Sequence, residues 1–304
     1  MQPPDKNNYE ARLELLAENI ANQFGLKRDS AGFWHVNPYP SPEDLKTFYQ
    51  SEYFQKVRQT IAPTLDVGEL EESHYLFDKR LQILREKLPQ KARILDIGSG
   101  GGAFLKLASE AGFQAEGIES SEVGLRRTRS LGLKVTEGFF GKGQVFFNTP
   151  FDAIHVNFVL EHIAHPRDFL LEIKRCLKPG GIVICAVPND FNPYQLAYVA
   201  GGNKPWWVVP REHLNYFSPT SLRNIFEECG FYVSEVSTGF PIDQFLLMGE
   251  DYVNNGALGG ICHKRRKMFA ESLRKAGMEE LLEKQNKALA QLGIGRDILL
   301  FAQA

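Results

Sequence analysis

Four glycines fall within five positions of the stretch ILDIGSGGGAF, residues 94–104. Glycines this dense let backbone amides come close to a ligand and allow φ > 0. The spacing fits two templates at once. Gly98-x-Gly100-x-x-Ala103 satisfies the dinucleotide fingerprint in its final-alanine form. Asp96-x-Gly98-x-Gly100-x-Gly102 satisfies the acid-first pattern of S-adenosylmethionine (SAM) sites. Dinucleotide folds usually keep an apolar residue where Asp96 stands, because the strand is still buried there. A carboxylate at the carboxyl end of a strand faces the ligand crevice. There it can oppose a cation, and SAM carries a sulfonium and an ammonium. Glu119 follows Gly98 by 21 residues, at the tip of the next apolar segment. It is placed to accept hydrogen bonds from ribose hydroxyls, which serves either ligand.

Were the ligand SAM, methyl transfer from its sulfonium would require a nucleophile held in line with the S–CH3 bond and shielded from water. Positioning can supply up to roughly 7–11 kcal/mol of the barrier. A hydroxyl nucleophile also needs a base, whereas a carboxylate or thiolate does not. His162, in "LEH", is the first candidate, since imidazole titrates near neutral pH; a histidine that only packs at a helix start is the competing reading. Glu161 reads as a helix-start acid favoured by the dipole. The Glu-His pair could hold a metal, but no third ligand stands beside it, Phe158 being one turn earlier, so none is expected. His165, before Pro166, reads as a surface turn residue. In "WWVVPREHLNYF", Trp206, Trp207, Arg211 and Tyr216 combine aromatic bodies with polar tips, as small-molecule pockets do, and His213 is a second candidate base. Core filler under a lid is the alternative for the tryptophans. "HKRRK", residues 263–267, stands near the apparent start of a helix, where cations oppose the macrodipole. Either that helix begins earlier, or Arg265 and Arg266 form an anion site for a substrate phosphate or carboxylate.

The elements that must position these groups follow from periodicity. Leu13, Leu16, Ile20 and Phe24 recur at helical spacing. Ser41 and Pro42 open a second helix, and a third runs from about Glu69 to Leu88. Tyr49, Tyr53 and Tyr75 on these helices are candidates to close over the cofactor. Trp34–Pro40 reads as a loop or short extended stretch. From Arg93 the texture alternates: "RILDI", "QAEGIE", "LKVTEG", "FDAIHVN" and "IVICAVP" are strands, with helices between them. Strands alternating with helices at this spacing give a parallel doubly wound sheet. Beyond Pro188 come an irregular stretch, a helix capped by Ser218, the strand "YVSEVST", one long helical pattern from about Ile261 to Leu292, and "DILLFAQA" as a last strand.

Four segments together, "DIGSGGG", "GIESS", "FDAIHVNFVLEHIAHPRDFLLEIKRCLKPGGIVICAVPN" and "PREHLNYFSPTSLRNIFEECGF", resemble a class I SAM-dependent methyltransferase. The resemblance is to the bacterial small-molecule branch that includes ubiquinone-type O-methyltransferases, and it covers about residues 90–240. It implies a Rossmann-like seven-stranded doubly wound α/β sheet of order 3-2-1-4-5-7-6, with the seventh strand antiparallel. It also implies that Asp96, Gly98 and Gly100 line the methionyl part of SAM and that Glu119, with Ser120 beside it, binds the ribose. Gly138 and Phe139 would flank the adenine, where "GFFGKG" lacks the acid that many relatives direct at the adenine amino group. Asn157 and Leu160 would lie near the methionine tail and the methyl. Relatives direct residues at the position of His162 toward the transferred methyl, and the P-x-E-H of His213 recurs among them. "NPYP", residues 37–40, lies in the cover and is incidental.

Composition bounds the rest. The 304 residues are 43% hydrophobic and 24% charged, with a formal net charge of −2, which describes an ordinary soluble protein. Nothing pulls it toward nucleic acid or anionic membrane. No apolar run approaches the roughly 18 residues needed to span a bilayer, and the N-terminus is no secretory signal. Cys176, Cys185, Cys229 and Cys262 are scattered and read as core thiols of a cytoplasmic protein. The expected organisation is a helical N-terminal cover (1–89), a SAM-binding core (90–240), a helical insertion covering the substrate (241–295) and a final core strand (296–304). The expected activity is methyl transfer from SAM to a small polar metabolite, O-methylation of a sugar or other secondary-metabolite intermediate, with S-adenosylhomocysteine as product. An NAD(P)-dependent oxidoreductase and a SAM-binding protein without turnover are the alternatives. A homodimer is compatible with this reading.

Overall fold

The computed structural model describes residues 8–41, 43–45, 77, 79–141 and 149–304. Tyr49, Tyr53 and Tyr75 lie outside the described residues, as does the second expected helix apart from 43–45. Helix α1 (Tyr9–Gln23) is followed by the short strands β1 (Leu26–Arg28) and β2 (Trp34–Val36). The stretch 79–87 is helical. Then β3 (Arg93–Ile97), α2 (Ala103–Glu110), β4 (Gln114–Glu119), α3 (Glu122–Ser130), β5 (Lys134–Glu137), β6 (Phe151–Asn157), α4 (Pro166–Cys176) and β7 (Leu177–Pro188) alternate. Helix α5 (Pro193–Ala200), β8 (Asn215–Tyr216), α6 (Pro219–Glu228), β9 (Tyr232–Thr238), α7 (Asp243–Leu247), α8 (Gly256–Lys275), α9 (Glu279–Gln291) and β10 (Asp297–Gln303) complete the chain.

Seven strands form one sheet in the order β5-β4-β3-β6-β7-β10-β9. Counted from β3, that is the expected 3-2-1-4-5-7-6. β3 pairs in parallel with β4 and β6, and β4 with β5. The last strand runs the other way. The amide of Gly180, near the start of β7, donates to Ala304 O, beyond the end of β10, while that of Asn189, just past β7, donates to Arg296 O, just before β10. Helix starts follow local chemistry. Ser121 caps α3, its hydroxyl accepting from Gly124 N, and Pro166 opens α4 with a preset φ. Asn192 and Gln195 close a reciprocal capping box at α5.

Packing divides the chain into two compact units, residues 39–185 with 229–234 and 301–304, and residues 1–38 with 186–228 and 235–300. In the first, Ile94, Leu95, Ile154 and Val156 are fully buried between the parallel strands and their helices. Helix α2 packs on β3 and β4. Gly117, in the middle of β4, allows this close approach: an added Cβ would stand 2.7 Å from Leu105 Cδ1 and 2.7 Å from Ser99 Oγ. In the second unit, β1, β2 and β8 make a small antiparallel sheet, with Trp34 opposite Tyr216. Trp34–Val36 is therefore a strand, at the start of the stretch read as a loop or short extended segment. β1 and β8 escape sequence reading because two or three residues carry no periodicity. The pattern from Ile261 to Leu292 is two helices rather than one, parted at Gly277, whose φ of +67° ends α8. α8 starts at Gly256, so residues 263–267 lie well inside it and the macrodipole argument does not apply to them. Among the described residues, no helix is long and apolar enough to cross a membrane.

Gly117→Val should cost about 1–3 kcal/mol by overpacking the α2–sheet interface. Urea unfolding of the variant against the unaltered protein measures it; equal midpoints would show that α2 can retreat without penalty.

Candidate functional site

In the unit that contains β3 to β6, the glycine loop leaves β3 with alternate residues in the left-handed region: Gly98, Gly100 and Gly102 have φ of +72°, +52° and +81°. The amides of Gly98 and Ser99 both donate to Ile118 O, at 2.9 and 3.0 Å, which ties the loop to β4. Glu119, at the end of β4, completes the turn. Its Oε2 accepts from Gly100 N at 2.7 Å and its Oε1 from Ser121 N at 2.6 Å. Thr128 of α3 donates to Gly100 O at 3.0 Å. The carboxylate therefore clasps the loop to the start of α3, and each oxygen keeps a second lone pair for a hydroxyl donor. Nothing lies within 4 Å of a Cβ added at Gly100. Ser99 Oγ is buried with no hydrogen-bond partner among the described residues. An open floor of backbone, a carboxylate at the strand tip and an unsatisfied hydroxyl fit a ribose-bearing cofactor. Gly138 donates its amide to Glu119 O, Phe139 is 43% exposed and Ser120 is half-buried.

Asp96 does not stand open to the crevice. It is buried, and its Oδ1 accepts from His155 Nδ1 at 2.7 Å. The two residues are register partners on β3 and β6. His155 stacks on Phe104 of α2, with centroids 3.8 Å apart and planes at 19°. On its other side Arg80 Nη1 donates to His155 Nε2 at 2.6 Å and to Asn157 Oδ1 at 2.8 Å. Arg80 itself is buried, with its guanidinium over the Phe77 ring. An imidazole that accepts from arginine on Nε2 must carry its hydrogen on Nδ1, so His155 is neutral. Burial lowers its proton affinity; the charge of Asp96 works against this and that of Arg80 with it. Neither His155 nor Arg80 was a candidate from sequence. The signal for His155 was a polar residue set among the apolar Ala153, Ile154 and Val156 of β6.

Beyond β6 the chain passes through Phe158, at φ +53°, into a single 3-10 turn, Leu160–His162. Leu160 is fully buried, so its side chain packs inside the unit rather than facing a ligand. Glu161, expected as a helix-start acid, lies in this turn and is buried: its side chain is 2% exposed, and that of His162, 3.8 Å away from Nε2 to Oε1, is 15% exposed. His165 is exposed, as expected for a turn residue.

The second unit holds the "WWVVPREHLNYF" residues. Trp206 is 37% exposed, whereas Trp207 and Tyr216 are buried. Phe191, in the left-handed region at φ +56°, packs edge-on against both Trp207 and Tyr216. Arg211 is exposed and His213 half-buried. His213 Nδ1 lies 4.0 Å from Oδ2 of Asp190. Asp190 was not singled out from sequence, although it lies two residues beyond the carboxyl end of β7. Burial, with the charge of Asp243 adding to it, raises its proton affinity well above the usual carboxylate range. Arg265 is paired with Glu250, and Arg266 hydrogen-bonds His263 at 3.0 Å. The cation of Arg265 is thus already matched, which weakens the expected anion site. The four cysteines are free thiols, three of them buried.

Folded Asp190 holds its proton more tightly than unfolded Asp190. Its contribution to stability is therefore complete below the unfolded value of 3.8 and is lost as pH rises toward the folded value. Asp190→Asn should raise Tm above that of the unaltered protein at pH 8, with the gap closing toward acid pH. Thermal melts across pH measure this; a variant no more stable at pH 8 would contradict it.

Comparison with known proteins gives this geometry a family. The profile of a family described as a methyltransferase domain matches residues 70–236, more than half of the chain. A ubiquinone biosynthesis O-methyltransferase of Maricaulis maris is 30% identical over 175 residues, 54% of this chain and 68% of the relative. One of Roseobacter denitrificans is 28% identical over 152 residues, 45% of this chain and 59% of the relative. The solved structure of a SAM-dependent methyltransferase from Archaeoglobus fulgidus superposes with a TM-score of 0.45 at 17% identity, covering 79% of this chain and 100% of the other. With its 3-2-1-4-5-7-6 sheet, its acid-first glycine loop and a profile match over the segment that builds both, the chain belongs to the class I SAM-dependent methyltransferases.

Proposed function

We propose that this chain transfers the methyl group of SAM to a hydroxyl oxygen of a small polar metabolite, a sugar or another secondary-metabolite intermediate. One observation carries the O-methylation reading: a partly exposed imidazole, His162, set against the buried carboxylate of Glu161 just beyond Asn157. Such a pair suits removal of a hydroxyl proton, because a nearby carboxylate favours the imidazolium that results. The relatives' own description as O-methyltransferases supports it. The nucleoside is held by Glu119 with Ser120 beside it and by the Gly98–Gly102 backbone, with Gly138 and Phe139 at the base. Bound SAM supplies a methyl group already activated by its sulfonium. The protein's part is to orient the acceptor, exclude water and take the proton. Trp206 and Arg211 are proposed to contact the acceptor, with Trp207 and Tyr216 supporting them from the core. Arg265 and Arg266 remain proposed anion contacts only if an acceptor phosphate displaces Glu250. His213, whose Nδ1 stands 4.0 Å from Asp190 Oδ2, is the alternative base.

S-adenosylhomocysteine release, followed with a polyhydroxylated aromatic acid and with a sugar nucleotide as acceptors, tests the reading. With whichever acceptor turns over, His162→Gln should lower kcat by roughly 10²- to 10⁴-fold and leave SAM affinity unchanged. A variant that keeps its kcat, while His213→Gln loses it, would move the base to His213. Release with neither acceptor, from protein that binds SAM, would count against a hydroxyl-bearing substrate of these classes.

A further inference from the structure

In the second unit three buried polar groups stand close together and do not pair. Asp190, Trp207 and Tyr216 are 4%, 3% and 1% exposed. Asp190 Oδ2 and Trp207 Nε1 make no hydrogen bond to a described residue, and the hydroxyl of Tyr216 finds no acceptor. Groups left so cost free energy until something meets them. Phe191 ties the three together. It follows Asp190 in the chain, and its ring packs edge-on against Trp207 and Tyr216, 5.8 Å from each. Its φ of +56° is one a bulky residue seldom adopts, and backbone held in such a state clusters at ligand sites. His213 closes the circuit, its ring 6.3 Å from that of Tyr216 and its Nδ1 4.0 Å from Asp190 Oδ2. Asp190 lies two residues beyond the carboxyl end of β7, at the edge where open α/β sheets bind ligands.

We propose that Asp190, Trp207 and Tyr216 form a recognition subsite for an uncharged hydroxyl group on a sugar ring of the acceptor, with Asp190 as the residue that sets this specificity. This rests on the reading of the chain as a methyltransferase of a hydroxylated metabolite. Indole N–H only donates, and the phenol has a hydrogen to give. The carboxyl accepts when ionised and also donates when protonated. A hydroxyl gives one hydrogen bond and takes others, so it serves both donors and satisfies Asp190 in either protonation state. An acid group suits only the protonated carboxyl, and an ammonium suits only the ionised one and meets two donors. Each would also bring a charge into a buried place. The rings of Phe191 and Trp207 offer apolar faces to the C–H groups of a sugar. Trp206, 37% exposed and edge-on to Trp207 at 6.4 Å, is the ring that the acceptor displaces on entry.

Fluorine NMR on the full chain, labelled with 5-fluorotryptophan, tests the proposal. The Trp207 signal is assigned as the one missing from Trp207→Phe. The probes are methyl α-D-glucopyranoside, D-glucosamine and D-glucuronate: one neutral ring, one with an ammonium, one with a carboxylate. The glucoside should shift the Trp207 signal saturably, and the two charged sugars should bind roughly tenfold more weakly or worse. Asp190→Leu replaces the carboxyl with an apolar group of similar size. It should weaken the glucoside roughly 10- to 100-fold without lowering Tm, because it also removes an unsatisfied group. Tyr216→Phe removes one hydroxyl and should weaken the glucoside roughly 2- to 10-fold, which decides the matter if Asp190→Leu does not fold. Tighter binding of either charged sugar would assign the recess to that charge and overturn the proposal. No shift with any probe would mean that the recess holds internal water only, which also overturns it, as would unchanged glucoside affinity in both variants. The methyl-transfer reading fails separately. Turnover of a hydroxyl acceptor that survives Asp190→Leu would keep that reading and remove this subsite; saturable glucoside binding without turnover of any acceptor would do the reverse.

Discussion

The buried carboxylate of Glu119 constrains the whole cofactor edge. It accepts one backbone amide from the glycine loop and one from the start of α3. Those two bonds fix the loop, which follows β3, against the helix, which follows β4. Three left-handed glycines are needed for the loop to reach that carboxylate. A dense run of glycines and an acid 21 residues beyond its first member are therefore one device. The acid holds the loop in place before any ligand arrives, which lowers the ordering cost of binding.

A second buried network lies beneath the first. Asp96, His155, Arg80 and Asn157 form a continuous line of hydrogen bonds running from β3 through β6 to the helical stretch 79–87 and back to the end of β6. Its ionic ends are bridged by a neutral imidazole, and burial pushes His155 toward that neutral form. Two acids expected to meet a ligand directly are thus already partnered within the protein. Asp190 contrasts with them: its nearest cationic candidate, His213, stands 4.0 Å away, beyond hydrogen-bonding reach. A buried carboxyl left in that state costs stability, as active-site groups commonly do.

The sequence made the sheet legible because short apolar cores such as residues 182–187 of β7 alternate with helical spacing, and because helices between them begin and end on Ser, Pro and Gly. The expected order of seven strands, including the antiparallel last one, is the order found. Glu119 and the glycine loop were legible for the same reason: their chemistry depends on spacing along the chain. The rest depends on spacing in three dimensions. His155 sits inside "FDAIHVN" with nothing nearby in sequence to mark it; its partners are 59 and 75 residues away. Arg80 falls in the stretch expected as a helical cover, where nothing adjacent in the sequence marks it. The basic run at 263–267 looked like an ill-placed helix start only because α8 begins earlier, at Gly256, in a stretch whose three glycines, Gly256, Gly259 and Gly260, disguise a helix.

Calorimetry on the purified, ligand-free protein tests the central claim most directly. The account predicts saturable, one-site heat with SAM, its loss in Glu119→Ala, and none with NAD. Saturation by NAD without SAM binding, or undiminished SAM affinity in Glu119→Ala, would contradict it.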